Sequence, residues 1–390
     1  MKVRHLATLG IVFLVLISGC RPSTSTGDQE STDDYSETTT SLTTSITSST
    51  SSSDSSTSEV PDSSSDDSPT TSPPTSSEVI APENEEVAFL TNSYLFGNTN
   101  GNTYNRGLAV YDFDQKVHYY AHQGAIYRYH PVTKESTTLL SGLGKVMFLT
   151  LYDNQLYYLG SESQYLYAVD LTTLEVTTAL SQTVNYLARQ TTYLYAKTTI
   201  PSYGDDEWLI YYNPKTMNRV KERRGMENIN QQYNKLLFTT TTEPTIIKVA
   251  ANNLIGTSTI KNFATLNFTS IEQLLLLHEA FDDENDRLFF VKLRSDEGDF
   301  LYLYEQKTDR LTFIDFDYGY HSYNSDDQHL YYVSSSGIHV YNYLTKTVDS
   351  TINFSAPVRN LNIVNRYLYY ESGSEMYRYH LISRQSELVG

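Results

Sequence analysis

The sequence predicts an all-β protein, a β-propeller of seven four-stranded blades behind a disordered tether. Three observations carry this prediction. Aromatic residues following a leucine, or a relic of that pattern, recur at an interval of about 40 residues. Period-two alternation fills the stretches between them, and helix signals are nearly absent. The first aromatics of the series fall at 119, 157, 195, 238, 289, 331 and 369, so the spacings are 38, 38, 43, 51, 42 and 38.

The elements follow in order within each repeat. The aromatic strand comes first, as His118-Tyr119-Tyr120, Leu156-Tyr157-Tyr158, Leu194-Tyr195, Leu237-Phe238, Leu288-Phe289-Phe290, Leu330-Tyr331-Tyr332 and Leu368-Tyr369-Tyr370. A strictly alternating second strand follows, as in Ile126-Tyr127-Arg128-Tyr129 or Leu301-Tyr302-Leu303-Tyr304, rich in the residues that half-buried strands favour. The last copy, Tyr377-Arg378-Tyr379-His380, repeats Tyr127-Arg128-Tyr129-His130. Turns such as Pro131-Val132-Thr133-Lys134 and Leu344-Thr345-Lys346-Thr347 come next, with Pro or Thr setting the turn. A third strand (Ser136 to Ser141) and a fourth (Phe148 to Tyr152) complete the unit, and Asp153-Asn154 turns the chain into the next aromatic strand. Seven units fit between about 106 and 390, and six or eight are the neighbouring counts. On this phasing the last unit lacks a strand, so Val87-Ala88-Phe89-Leu90 is expected to pair with it and close the ring. Ile271 to Ala280 is the one stretch expected to hold a helical turn.

The chain divides into residues 1–19, 20–83 and 84–390. The first has the layout of a secretory leader: Lys2 and Arg4, then an apolar core from Leu6 to Ile17, then small residues. That core is shorter than the roughly 20 residues a membrane helix needs. Ile17-Ser18-Gly19-Cys20 ends it, and Cys20 is the single cysteine of the chain, so the exported protein has no disulfide to form. The segment resembles a bacterial lipoprotein signal, which implies a diacylglyceryl group on Cys20 and a lipid-anchored place on the extracytoplasmic face of the cell membrane. Two acyl chains give stable anchoring.

From Arg21 to Glu83 the chain is Ser, Thr, Asp and Glu with clustered prolines (Pro69, Pro73, Pro74), too polar to offset the entropy of folding. Twelve acidic residues against one basic leave it self-repelling, with a reach of roughly 45 Å as a flexible coil. It reads as a spacer of the kind found in thick-walled, single-membrane envelopes. The remaining domain is also net acidic, about −9 of the chain's −18, so no nucleic acid partner is expected.

Gly97-Asn98-Thr99-Asn100-Gly101-Asn102-Thr103-Tyr104-Asn105-Arg106-Gly107, leading into Tyr119-Tyr120 and Tyr127-Arg128, resembles the start of the DUF5050 domains. These are bacterial domains of unknown function, similar to the propeller of low-density-lipoprotein-receptor-related proteins. The resemblance covers roughly residues 87 to 390 and implies the fold and no activity. The Tyr-Trp-Thr-Asp tetrapeptide of the receptor propellers is missing, so receptor-type ligand binding does not transfer.

No phosphate loop, His-Glu-x-x-His or Gly-x-Ser-x-Gly occurs, and no catalytic residue, cofactor or metal is assigned. The run Asp282-Asp283-Glu284-Asn285-Asp286 lacks the Gly and Glu that a calcium loop would need where Arg287 and Leu293 stand, so it reads as a solvated turn. Asp112 with Asp114, and Asp326 with Asp327, read the same way. His130 and His380 are one repeat position seen twice, which points to the scaffold. The 34 tyrosines are mostly repeat consensus packed blade on blade, with Tyr104 and Tyr203 in loops as candidates for contact.

The longest departures from the repeat, Thr198 to Glu207, Arg294 to Asp299 and about Leu254 to Glu279, are assigned to loops on one propeller face. The candidate binding face is therefore Tyr203, Asp205, Asp206, Glu207, Trp208, Asp296 and Glu297. The expected function is binding or scaffolding, with an envelope protein or cell-wall polymer as partner. An extracellular propeller hydrolase or lyase, and a ligand-sensing module for a membrane partner, are the alternatives.

Overall fold

The computed structural model describes residues 97–389 except 191–192, 200–206, 233–234, 252–255, 280–284, 318, 320–321 and 355. Seven four-stranded antiparallel sheets follow one another, each a simple meander of consecutive strands. Blade 1 holds β1 (Ala109–Asp112), β2 (Val117–His122), β3 (Ala125–His130) and β4 (Glu135–Leu140), and blade 2 holds β5 (Val146–Tyr152), β6 (Gln155–Gly160), β7 (Leu166–Asp170) and β8 (Val176–Leu180). Blade 3 holds β9 (Tyr186–Gln190), β10 (Tyr193–Thr199), β11 (Glu207–Tyr212) and β12 (Arg219–Arg224). Blade 4 holds β13 (Met226–Gln232), β14 (Lys235–Thr240), β15 (Glu243–Ala251) and β16 (Ser258–Asn262). Blade 5 holds β17 (Ser270–Glu279), β18 (Arg287–Ser295), β19 (Gly298–Glu305) and β20 (Arg310–Phe316). Blade 6 holds β21 (Tyr323–Ser325), β22 (His329–Ser334), β23 (Gly337–Asn342) and β24 (Thr347–Ile352). Blade 7 holds β25 (Val358–Val364), β26 (Tyr367–Ser372), β27 (Glu375–His380) and β28 (Gln385–Val389). The protein is a seven-bladed β-propeller.

The repeat is real, but its phase differs from the sequence reading by one strand. The aromatic strand is second in each blade, and the strand before it is innermost. The last blade therefore has all four of its strands from 358–389, and no borrowed strand is needed to complete it. Val87–Leu90 lies outside the described residues. Ile271 to Glu279 is strand, not helix: four consecutive leucines suit an inner strand covered on both faces, and two register shifts fit its extra residues to β18.

Aromatic consensus residues pack between blades as expected. Tyr119, Tyr120, Tyr157, Tyr158, Tyr331, Tyr332, Tyr369 and Tyr370 are all buried. Where the last blade meets the first, side chains seal the seam. His118 Nδ1 lies 2.8 Å from the Tyr369 hydroxyl, and the Arg378 guanidinium sits 3.3 Å from the centre of the Tyr129 ring. Arg378 and Arg128 occupy the same place in the repeated tetrapeptide, yet Arg378 is buried and Arg128 exposed. The neighbouring blade decides this, because blade 2 offers Val169 where blade 1 offers Tyr129.

The innermost strands leave one edge of backbone groups facing the central channel, and the segment 97–107 fills it. Thr99 caps a short helix, α1 (Asn100–Tyr104), by accepting from Asn102 N, and left-handed Arg106 and Gly107 end it. Asn100 bonds reciprocally to the backbone of Gln231 in β13, and Asn102 does the same with Ile363 in β25 (N–Oδ1 2.6 Å, Nδ2–O 2.8 Å). Asn105 reaches the Tyr323 carbonyl in β21, and the Arg106 and Gly107 carbonyls accept from Phe148 and Leu149 in β5. A girdle of asparagines on the inner strands adds bonds between blades. Asn230, Asn324 and Asn362 share one register position and donate to Leu274, Leu361 and Asn105 carbonyls respectively. Gly101 packs so closely on this girdle that a Cβ there would lie 2.0 Å from Asn324 Oδ1.

Two substitutions test the plug. Asn102→Ala removes the side-chain partner of the Ile363 N–H and carbonyl and one of the two bonds donated by the Asn324 amide, and thermal unfolding is expected to show a loss of about 3 kcal/mol or more. Gly101→Ala is expected to cost a similar amount in the wild type and much less with Asn324→Ala, a coupling that a double-mutant cycle reads directly.

Candidate binding surface on the loop face and blade 5

A four-strand meander puts two kinds of connection on each end of the ring. The connections between middle strands, and those from blade to blade, emerge on one end, the loop face. The inner-to-second and third-to-fourth turns emerge on the other, the turn face. Gly97 lines a small cavity with Asp112, Asp114 and Asp153, all in inner-to-second turns, so the plug begins at the turn face. Leu108 lines a cleft of about 520 Å³ with Gln123, Gly124 and Gly144, so the plug ends at the loop face. The chain thus crosses the ring from end to end before the first strand begins.

Tyr203, Asp205 and Asp206 lie outside the described residues, as does Cys20. Glu207 and Trp208 start β11 and belong to the scaffold. Lys197 bridges Glu207 (2.6 Å) to Glu227 of the next blade (2.9 Å), and Trp208 is partly buried on the blade 2–blade 3 core. Asp296 and Glu297 occupy the tip of the β18–β19 hairpin and are exposed. Both groups are at loop-face ends, but blade 4 stands between them, so they do not form one site.

Several departures assigned to loops are strand. Arg294 and Asp299 pair across β18 and β19, and the apparent insertion is a lengthened hairpin with a two-residue tip. The stretch from Leu254 to Glu279 includes β16 and β17 besides the blade 4–blade 5 connection. The β18–β19 ladder simply runs on to Ser295 and Gly298, and two register shifts fit the extra residues of β17 to β18. Tyr104 is not a surface contact: it lies within the plug, against the core between blades 5 and 6, and its hydroxyl bonds to Asn228 (3.4 Å). Burial pushes that hydroxyl well above its ordinary pKa.

The acidic turns hold the scaffold. Asp112 accepts from the backbone of Asp114 and Gln115. Asp326 accepts from Gln328 N, from His329 N and from the Tyr331 hydroxyl (2.6 Å). Burial alone would raise the Asp326 carboxyl, but bonds from His329 and Tyr331 hold it below the usual range. The same contact with Asp326, aided by Asp349, raises the His329 pKa. Asn285 and Asp286 sit in the equivalent blade 5 turn, with Asp286 paired to Lys307 (2.9 Å). His130 and His380 both accept a backbone N–H from three residues on, one turn built twice. Among the described residues, no three His, Cys, Asp or Glu side chains come close enough to hold a metal.

Sequence reasoning missed a feature of blade 5. Phe300, Tyr302, Phe313 and Phe316 form a connected ring cluster along β19 and β20, joined by Phe268 from the inter-blade connection; Phe313 is 46% exposed and Phe316 50%. The signal was visible in Phe313 and Phe316, which stand on an outer strand where the other repeats carry polar or aliphatic residues and no aromatic. The cluster continues toward the turn face into a groove of about 460 Å³ lined by Tyr304, Asn262, Gln306 and Lys261. At its loop-face end Asp296 and Glu297 are exposed and Arg294 pairs with Glu272 and Asp299, while Asp315 reaches Tyr332 of blade 6 and Asp317 is buried against Lys292. Lys292 is buried between Asp299 (3.1 Å) and Asp317. Arg294 grips Asp299 at 2.8 and 3.1 Å and holds its carboxyl down at about 2, against an opposing push from burial. Exposed rings of this kind offer apolar area for contact.

No family model matches the sequence, and no curated protein does. Solved propellers are similar in shape. The CNH domain of AfRom2 is 11% identical, covering 68% of this chain and 89% of that one, at a TM-score of 0.49. Hsv2p of Kluyveromyces lactis is 12% identical, covering 72% and 96%, at 0.44. BamB from Moraxella catarrhalis is 13% identical, covering 69% and 82%, at 0.42. Likeness at this level concerns the fold alone.

Two pH effects follow from these contacts. The folded pKa of His329 is raised, so its contribution to stability is fully present below its ordinary value near 6.5 and is lost as pH rises through the folded value. Melting temperature should therefore fall on that rise in the wild type and flatten in His329→Asn. The folded pKa of Asp299 is depressed to about 2, so its contribution is present above the ordinary 3.8 and is lost as pH falls through about 2. Arg294→Gln should remove that part of the acid limb.

Proposed function

We propose that this chain is a lipid-anchored, extracytoplasmic binding or scaffolding protein of the DUF5050 kind. It is held to the membrane through a diacylglyceryl group on Cys20 and presents the propeller loop face to an envelope protein or wall polymer. The observation that carries the reading is the path of the plug. The described chain begins with Gly97 at the turn face and reaches the loop face at Leu108, so the channel is filled before the first strand begins and binding is left to the outside of the ring. The sequence features of the leader and the acidic Ser/Thr segment support the anchor and spacer. The channel, where a propeller hydrolase or lyase would gather acid–base groups, holds amide side chains bonded to one another and to the inner strands, so weight falls on binding.

Photocrosslinking on intact cells tests this. A photoreactive residue at position 203, in the connection between the middle strands of blade 3, should capture a partner that the same probe at Asn154, on the turn face, does not. Equal or empty yields from the two positions would overturn the loop-face reading. In the same cells, Cys20→Ser should move the protein out of the membrane fraction, and retention there would overturn the anchor.

A further inference from the structure

We propose that the outer flank of blade 5 docks an extended, basic and apolar segment of a partner protein as a fifth strand on β20. The seven blades supply their own comparison. Exposed positions on the other six outer strands carry Ser, Thr, Glu, Gln, Asp, Lys, Arg or an isolated aliphatic residue, as natural sheet edges do to avoid pairing with other chains. β20 carries Phe313 and Phe316, each about half in solvent and backed by Tyr302 and Phe300, at the edge of a sheet whose hydrogen-bonding order ends there. A contiguous exposed aromatic surface beside a free strand edge has the two parts of strand-addition recognition: backbone bonds for affinity and side-chain contacts for specificity.

Charge and ring geometry select the occupant. At this end of the blade Asp296 and Glu297 stand exposed at the hairpin tip, and Glu272 and Asp299 share Arg294, so a basic segment is attracted. A second copy of this chain, at −18 net, is repelled. The rings meet edge to face, at 72° for Tyr302 and Phe313 and 66° for Phe313 and Phe316, giving a ridged surface rather than a flat platform for sugar rings. Ridges accept interdigitating side chains, and the ring faces accept Lys or Arg.

Selection of a random peptide library on the full-length protein tests the proposal. The expected winners alternate Lys or Arg with Val, Ile or aromatic residues. A synthetic copy should bind more weakly as salt rises and lose about tenfold or more in affinity with Phe313→Ser/Phe316→Ser. Asp296→Lys/Glu297→Lys should also weaken it, while Leu388→Ser, on the outer strand of blade 7, should not. No enrichment, winners that are acidic, or binding indifferent to the phenylalanine pair would overturn the proposal. So would a wall polysaccharide, or self-association, that proves to occupy the flank and to depend on the same two rings. The capture at position 203 is unaffected by these substitutions, so failure here leaves the loop-face reading to its own test.

Discussion

A ring of seven sheets has to satisfy seven inner edges of backbone at its centre, and the rest of this structure depends on how that is done. Each inner strand turns a row of N–H and C=O groups toward the channel, where a buried group without a partner costs as much as a lost hydrogen bond or more. Here the solution is largely asparagine. Its amide carries both a donor and an acceptor, so one side chain can pair with one residue's backbone as a neighbouring strand would. Asn100 does this for Gln231 and Asn102 for Ile363, while Asn230, Asn324 and Asn362 tie adjacent inner strands together. Gly101 lets the plug come close enough for those bonds to form.

That arrangement moves function outward. A channel filled by α1 and an amide network has little room for a substrate, and among the described residues an exposed aromatic surface lies outside it, on the flank of blade 5. The plug also gives the ring a direction, because the chain enters at the turn face and leaves it at the loop face. The seam between the last and first blades is closed by side chains, with Arg378 on Tyr129 and His118 against Tyr369, beside the plug that bonds to β1, β5 and β25. Among the described residues, each blade is built from its own four consecutive strands.

Much of the fold was legible. The interval between aromatic strands, the alternation that follows each, and the polar turns are local patterns that every blade repeats, and repetition makes each copy a check on the others. The phase was not legible, because a strand pattern does not say which neighbour it pairs with, and the innermost strands are the least regular of the set. β17 was misread as helical because a continuous leucine run looks alike in a buried strand and a buried helix. The plug was visible only as a resemblance: Asn, Gly and Thr in a row read as loop by composition, and the cap at Thr99 is a weak signal alone.

The sites were less legible than the fold for a related reason. Glu207 and Asp296 look equally available in sequence, but Lys197 claims the first while the second stands exposed at a hairpin tip. Phe313 and Phe316 could be counted as one more pair of strand aromatics until their place on an outer edge was known. The sequence by itself determined that the chain is an all-β repeat of about 40-residue units, has one cysteine behind an apolar run and bears net negative charge, because these depend on local pattern and composition. The tertiary structure decided which strand is innermost, that the segment before the first strand fills the channel, and which aromatic rings reach solvent. Those outcomes depend on contacts between residues as far apart as Asn102 and Ile363, and no local pattern encodes which distant backbone a side chain will meet.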